Sequence, residues 1–188
     1  MAVLPILITG DPVLHEVAKP VTVFDDTLTQ LVDDMFDTMK GAPGVGLAAP
    51  QVGVGLRLFV FNWTDDTDTL YRGVAINPQL WLSPTPTGDA DEDDESEGCL
   101  SLPGERFALR RAQLATLRAI DLNQTPYEVK AEGWLARIFQ HEYDHLEGVL
   151  YVDRLAHAPA KAAAKSIKKK NWGGPGLSWL PGQDHLED

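Results

Sequence analysis

The sequence predicts one α+β domain in which mostly antiparallel strands surround a central buried helix. Three observations carry this. Apolar, β-branched or aromatic runs bounded by turn residues recur over 57–83 and 113–131, the pattern of strands. Two segments, 27–41 and about 132–148, follow helical spacing. No internal repeat or linker divides the 188 residues, a length that suits a single core. The domain is assigned to residues 1–170. Residues 171–188, rich in Gly and Pro, are expected to form an irregular and partly disordered tail.

Taken in order, "TLTQLVDDMFDTMKG" is the clearest helix. Leu28, Leu31, Val32, Met35, Phe36 and Met39 share one face as core residues, and Gly41 is a natural stop. "GAPGVGLAAPQVGVG" is too rich in Gly and Pro to be regular throughout. "RLFVFN", "GVAINP" and "QLWLS" read as three strands, and "QLATLRAIDLN" with "YEVKA" as a hairpin across "NQTP". The second helix runs from about Glu132 to Gly148. An Ala- and Lys-rich surface helix follows over about 154–170.

Composition narrows the class. Apolar content of 44% and charged content of 23% are those of a soluble globular protein. The start, "MAVLPILITGDPV", has neither a basic n-region nor a long apolar stretch, so neither signal peptide nor membrane anchor is expected. Cys99 is the sole cysteine, which fits a reducing, cytoplasmic setting. A net charge of −12 argues against DNA binding. Seven carboxylates fall in "GDADEDDESEG", 88–98, read as a solvated loop without the spacing of an EF-hand. The basic stretch "KAAAKSIKKK", 161–170, is a solvated helical face by default.

Chemistry enters with "QHEYDHLEG", 140–148. His141 and His145 lie one helical turn apart, about 6 Å along the axis, so both imidazoles share a face with Glu142 between them. This is the H-E-x-x-H pattern, two metal ligands and a general base, and it makes the buried helix a metal-binding one. Trp134 and Ile138 continue the stripe of the histidines, either as plain core or as the apolar wall of a pocket. Leu135, Phe139 and Leu146 occupy the neighbouring stripe.

Two histidines need a third ligand. The extension H-E-x-x-H-x-x-G-x-x-H matches through Gly148 but has Tyr151 where the last histidine belongs. The glutamates beyond the motif are Glu147, adjacent to it, and Glu187, in the tail. Upstream, Cys99 in "EGCLS" would complete a thiolate–imidazole₂ set with one coordination position free, as a catalytic site requires. On spacing alone a buried free cysteine is an equal account. The failure of the downstream options favours the ligand. A Cys/His₂ set reads as zinc by coordination chemistry.

Three segments in order, "GVGLAAPQ" (44–51), "EGCLS" (97–101) and "QHEYDHLEG" (140–148), resemble the peptide deformylases, and a looser resemblance spans roughly residues 5–160. It implies hydrolysis of the N-formyl group from formyl-methionine at the start of new polypeptides, releasing formate. It implies one divalent metal held by Cys99, His141 and His145, with Fe²⁺ favoured and Zn²⁺, Ni²⁺ or Co²⁺ able to substitute. Glu142 would be the acid–base residue, with Gln51 and the Leu100 N–H contacting the formyl oxygen. Gly46 would meet the substrate backbone, Gly44 and Gly46 allowing its close approach. Val45, Trp134 and Ile138 would border the methionine pocket, and Glu97 and Arg106 would lie near the substrate channel. Contact of 161–170 with the ribosome is a weaker implication. An endopeptidase, or a structural metal module with four protein ligands, are the alternatives. His15, His157 and His185 are read as surface residues.

Overall fold

The structure, a computed structural model, describes residues 2–184 and 186, so His185 and Glu187 lie outside the described residues. Helix α1, Asp26–Gly41, starts where the Asp25 carboxylate accepts from the Leu28 N–H at 3.0 Å. Its face of Leu28, Val32, Met35 and Met39 is buried, with Leu31 and Phe36 partly so.

Strands β2 (Gly46–Ala48), β3 (Leu58–Thr64), β4 (Leu70–Leu82), β7 (Leu114–Ile120) and β8 (Pro126–Glu132) form an antiparallel sheet in the order β2-β3-β4-β7-β8. Both faces of its centre are covered. Leu58 and Val60 point to the α1 side, whereas Phe59 and Phe61 point to helix α2, Gly133–Leu146. Burial on both faces is why "LFVF" is continuously apolar rather than alternating. Phe59, Phe61, Leu117, Leu135 and Phe139 form the core under α2. Gly148, at φ +70°, then turns the chain where a Cβ would lie 2.8 Å from the His15 backbone.

Two expectations are corrected. "GVAINP" and "QLWLS" are one 13-residue strand, β4, irregular between Ile76 and Gln79. Asn77 sits there at φ +48°, its side-chain amide exchanging hydrogen bonds of 2.8 and 2.9 Å with the Val21 backbone. This irregularity passes β4 from β3 to β7 and admits Pro78 inside a strand.

The tail is likewise more ordered than expected over its described residues. Ser178–Trp179, β9, pairs antiparallel with β1, Ile6–Leu7, and Trp179 is among the largest fully buried side chains. The remaining elements are the hairpin of β5 (Ser96–Cys99) and β6 (Leu102–Ala108), and the helix α3, His157–Lys169. His15 and His157 are exposed. Among the described residues no helix is long and apolar enough to cross a membrane.

Candidate active site

Helix α2 lies under the sheet with His141 and His145, sixth and second from its C-terminal end, toward the β5–β6 hairpin. The pairing of Cys99 with Leu102 leaves Leu100 and Ser101 as a two-residue turn. Cys99 Sγ and one nitrogen each of His141 and His145 lie within 4.8 Å of one another, the Sγ to His145 Nε2 distance being 3.4 Å. Metal–ligand bonds of about 2.0–2.3 Å in a tetrahedron give edges of about 3.5 Å, so the donor set fits a small divalent cation. Glu142 stands beside it, buried, with Oε2 lacking a hydrogen-bond partner among the described residues. Burial pushes its pKa up to about 7, against the attraction of His141. Burial also keeps His145 neutral, with His141 adding to the effect.

Gln51, buried at the 3₁₀ turn Ala49–Val52, is fixed at its oxygen by the Ala48 N–H at 2.9 Å. Its amide nitrogen is thereby turned toward the site, 3.7 Å from Cys99 Sγ and 3.3 Å from Ser101 Oγ.

These groups open on a cavity of about 490 Å³. Gly44, Val45, Gly46, Gln51, Glu97, Leu100, Arg106, Trp134 and Ile138, all expected at the substrate side, line it with Cys99, His141 and Glu142. His145 sits deeper, 1% exposed. Ile138 is buried, whereas Val45 and Trp134 are open at the rim, Trp134 beside Trp63 at 6.5 Å between ring centres. Arg106 is tied to the Ser96 carbonyl at 2.9 Å.

Glu97 lies at the cavity, but it differs from the reading of 88–98 as a solvated loop. It is not part of a solvated loop, being 3% exposed, and its carboxylate is not free for a substrate. Arg111 grips it through Nε and Nη2 at 2.7 and 2.9 Å, Arg137 donates at 2.7 Å, and His141 Nδ1 lies 3.0 Å away. Burial alone would raise this carboxyl, but the Arg111 and His141 contacts hold it well below the usual carboxylate range. The bond fixes the His141 ring so that Nε2 faces Cys99 and His145. Arg111 also reaches Asp144 at 2.6 Å, and Arg154 closes on Asp144 with bonds of 2.7 and 2.6 Å.

Arg111, Arg137 and Asp144 carried no signal in the sequence, because charges 14 to 40 residues apart announce no partnership. Asp144 does stand in the H-E-x-x-H segment, on the side of α2 away from the cavity.

The glycines also acquire a different reason. A Cβ on Gly46 would sit 2.6 Å from the Glu142 carboxyl carbon, and one on Gly44 would lie 2.8 Å from Leu100 Cδ1. Their missing side chains make room for the site's own residues before any substrate arrives. Tyr151, where the alternative motif needs a histidine, is 1% exposed and lies against Phe107 and His141, its hydroxyl donating to the Glu105 carbonyl at 3.3 Å.

Comparison with known proteins identifies the family and the fold. The family model for polypeptide deformylase matches residues 3–161. A peptide deformylase of Tropheryma whipplei is 50% identical, the match covering 95% of this chain and 94% of that protein. One of Mycolicibacterium smegmatis is 49% identical over 97% and 96%. The crystal structure of a peptide deformylase from Legionella pneumophila superposes with a TM-score of 0.75 at 41% identity, covering 90% of this chain and 96% of that one. With a match across most of its length and the same fold, the chain belongs to the polypeptide deformylase family, hydrolases that remove the N-formyl group from new proteins.

Proposed function

We propose that this chain deformylates N-terminal formyl-methionine with one divalent cation held by Cys99, His141 and His145. The observation that carries this is the donor triad, within 4.8 Å, beside the buried Glu142 on the wall of the 490 Å³ cavity. Fe²⁺ is the favoured physiological ion, with Zn²⁺, Ni²⁺ or Co²⁺ able to replace it. When bound, the cation supplies a Lewis acid that brings the pKa of water toward ~7 and polarises the formyl oxygen.

The residues supply the rest. Glu142 takes a proton from the attacking water and gives it to the leaving amine, a transfer typically worth about 10²–10⁴-fold. As the formyl carbon becomes tetrahedral its oxygen gains negative charge, and the Gln51 amide and the Leu100 N–H donate to it. One such donor is worth roughly 3–4 kcal/mol in other enzymes.

Strand β2 is an edge of the sheet, so Gly46 has one side paired with β3 and the other open to an extended peptide. Ile138, Val45 and Trp134 give the methionine side chain an apolar berth, and Arg106 stands at the channel. The setting is the cytoplasm, where chains begin. Lys161, Lys165, Lys168 and Lys169 are exposed on α3 and offer a basic face for transient ribosome contact.

The test is anaerobic preparation, metal analysis and formate release from formyl-Met-Ala peptides. One metal per chain with turnover supports the assignment. Full turnover in Glu142→Ala, or metal retained by Cys99→Ala, would remove it.

A further inference from the structure

The family model ends at residue 161, yet a segment beyond it touches the catalytic turn. The two-residue turn Leu100–Ser101 is anchored from three places. Gln51 Nε2 donates to Ser101 Oγ at 3.3 Å, and the Thr9 N–H donates to the Ser101 carbonyl at 2.8 Å. The third anchor is Trp179, whose Nε1–H donates to the Leu100 carbonyl at 2.8 Å across 79 residues of sequence. An indole N–H is a donor only, so once buried it needs an acceptor, and that carbonyl provides it.

Trp179 is itself held firmly. It pairs with Ile6 in the β1–β9 ladder, the Ile8 N–H donates to the Leu177 carbonyl at 2.9 Å, and the ring is 1% exposed. Gly173 N–H donates to the Thr9 carbonyl at 3.0 Å, so the same strand that anchors Ser101 is tied to the approach to β9.

Resting on the role proposed above for the Leu100 N–H, we infer that Trp179 is a positioning residue of the deformylase site. Its indole fixes the Leu100 carbonyl, hence the ψ angle of Leu100, and so limits rotation of the residue whose N–H faces the formyl oxygen. That carbonyl lies in the Leu100–Ser101 peptide, so the strap acts on the Leu100 N–H through the Leu100 Cα, one residue after Cys99. Apolar packing alone would ask only for a large ring at 179; positioning asks for the N–H.

The experiment removes that N–H and keeps the bulk. In the metal-loaded full chain, Trp179→Phe is compared with 3-benzothienylalanine at 179, which has nearly the shape of Trp with sulfur in place of N–H. Leu117→Val, a core change under α2, is the control for stability. Formate release gives kcat and KM. Amide hydrogen exchange gives the protection of 99–102 independently of activity.

Both changes at 179 are expected to lower kcat about tenfold with KM within about twofold. They should speed exchange at 99–102 and leave α1 protection as it was, while Leu117→Val moves neither kcat nor that exchange. If Trp179→Phe does not fold, the benzothienyl variant decides. Unchanged kcat and exchange at 99–102, or equal losses in Leu117→Val at matched stability, would overturn the inference. Wild-type protein without formate release, but with exchange at 99–102 that depends on the indole N–H, would leave the strap in place and remove the role of Leu100 instead.

Discussion

The site has two halves built on different terms. Helix α2 carries His141, Glu142 and His145 within little more than one turn, and the repeat of the helix alone sets their spacing. The β5–β6 hairpin carries Cys99 at the end of β5 and Leu100 in its two-residue turn, held by Gln51, Thr9 and Trp179 from elsewhere in the chain. One half is fixed by local geometry and the other by tertiary contact. Substitution in the helix should therefore change chemistry cleanly, whereas substitution around the turn should change chemistry and order together.

The largest effects test that contrast directly. Glu142→Ala is expected to keep its metal and fold while formate release falls by about 10²–10⁴-fold. Cys99→Ala is expected to lose both metal and activity, which metal analysis alongside the assay will separate. Equal metal loss in the two variants would break the distinction.

Gly46→Ala comes next, because its Cβ meets the Glu142 carboxyl and must displace it. A displacement near 1 Å costs about 10²-fold in rate, and urea denaturation should move much less. Glu97→Gln joins the halves, since this carboxylate of β5 holds His141 of α2 at 3.0 Å. Activity should fall about 10- to 100-fold. Stability should fall by about 3–5 kcal/mol, because Arg111 and Arg137 both lose a buried counter-charge and Arg111 is left with Asp144 alone. A normal urea midpoint would show that the halves are not coupled through Glu97.

The smallest effect lies outside both. Tyr127 on β8 donates to the Val74 carbonyl at 2.7 Å, and burial raises its phenol above the ordinary range. Tyr127→Phe should cost about 1 kcal/mol and leave kcat unchanged. Because the folded pKa is raised, the neutral phenol's contribution is complete below the unfolded value of 10.0 and lost as pH rises beyond it. The wild type should therefore lose stability above pH ~10 more steeply than the variant.

The same contrast governs what could be read from the sequence. The helical half was legible, since His141, His145 and the apolar stripe of α2 follow one period. Cys99 emerged by elimination, and the substrate-side glycines, Gln51 and Leu100 by resemblance. Glu97 was misplaced because a buried carboxylate at the end of an acidic run looks like the solvated residues before it. Only its contacts with Arg111 and Arg137 distinguish it, and those depend on folding. The single long β4 was hidden by Asn77–Pro78, a pair that usually ends a strand and here marks an irregularity. Trp179 was unreadable for the reason that Gly and Pro around it announce turns, whereas its burial comes from pairing with residues near the opposite end of the sequence.

That pairing has a consequence for synthesis. Translation delivers the chain in order, so α2 with both imidazoles is made before residue 179 exists. Until then β1 has no strand beside it and the Leu100 carbonyl has no indole. A nascent copy therefore holds the helical half of its centre while the turn is still loosely set, and activity should arise late, after β9 has docked. Released chains truncated after residue 170 and after residue 184 would show the molecule on either side of that event.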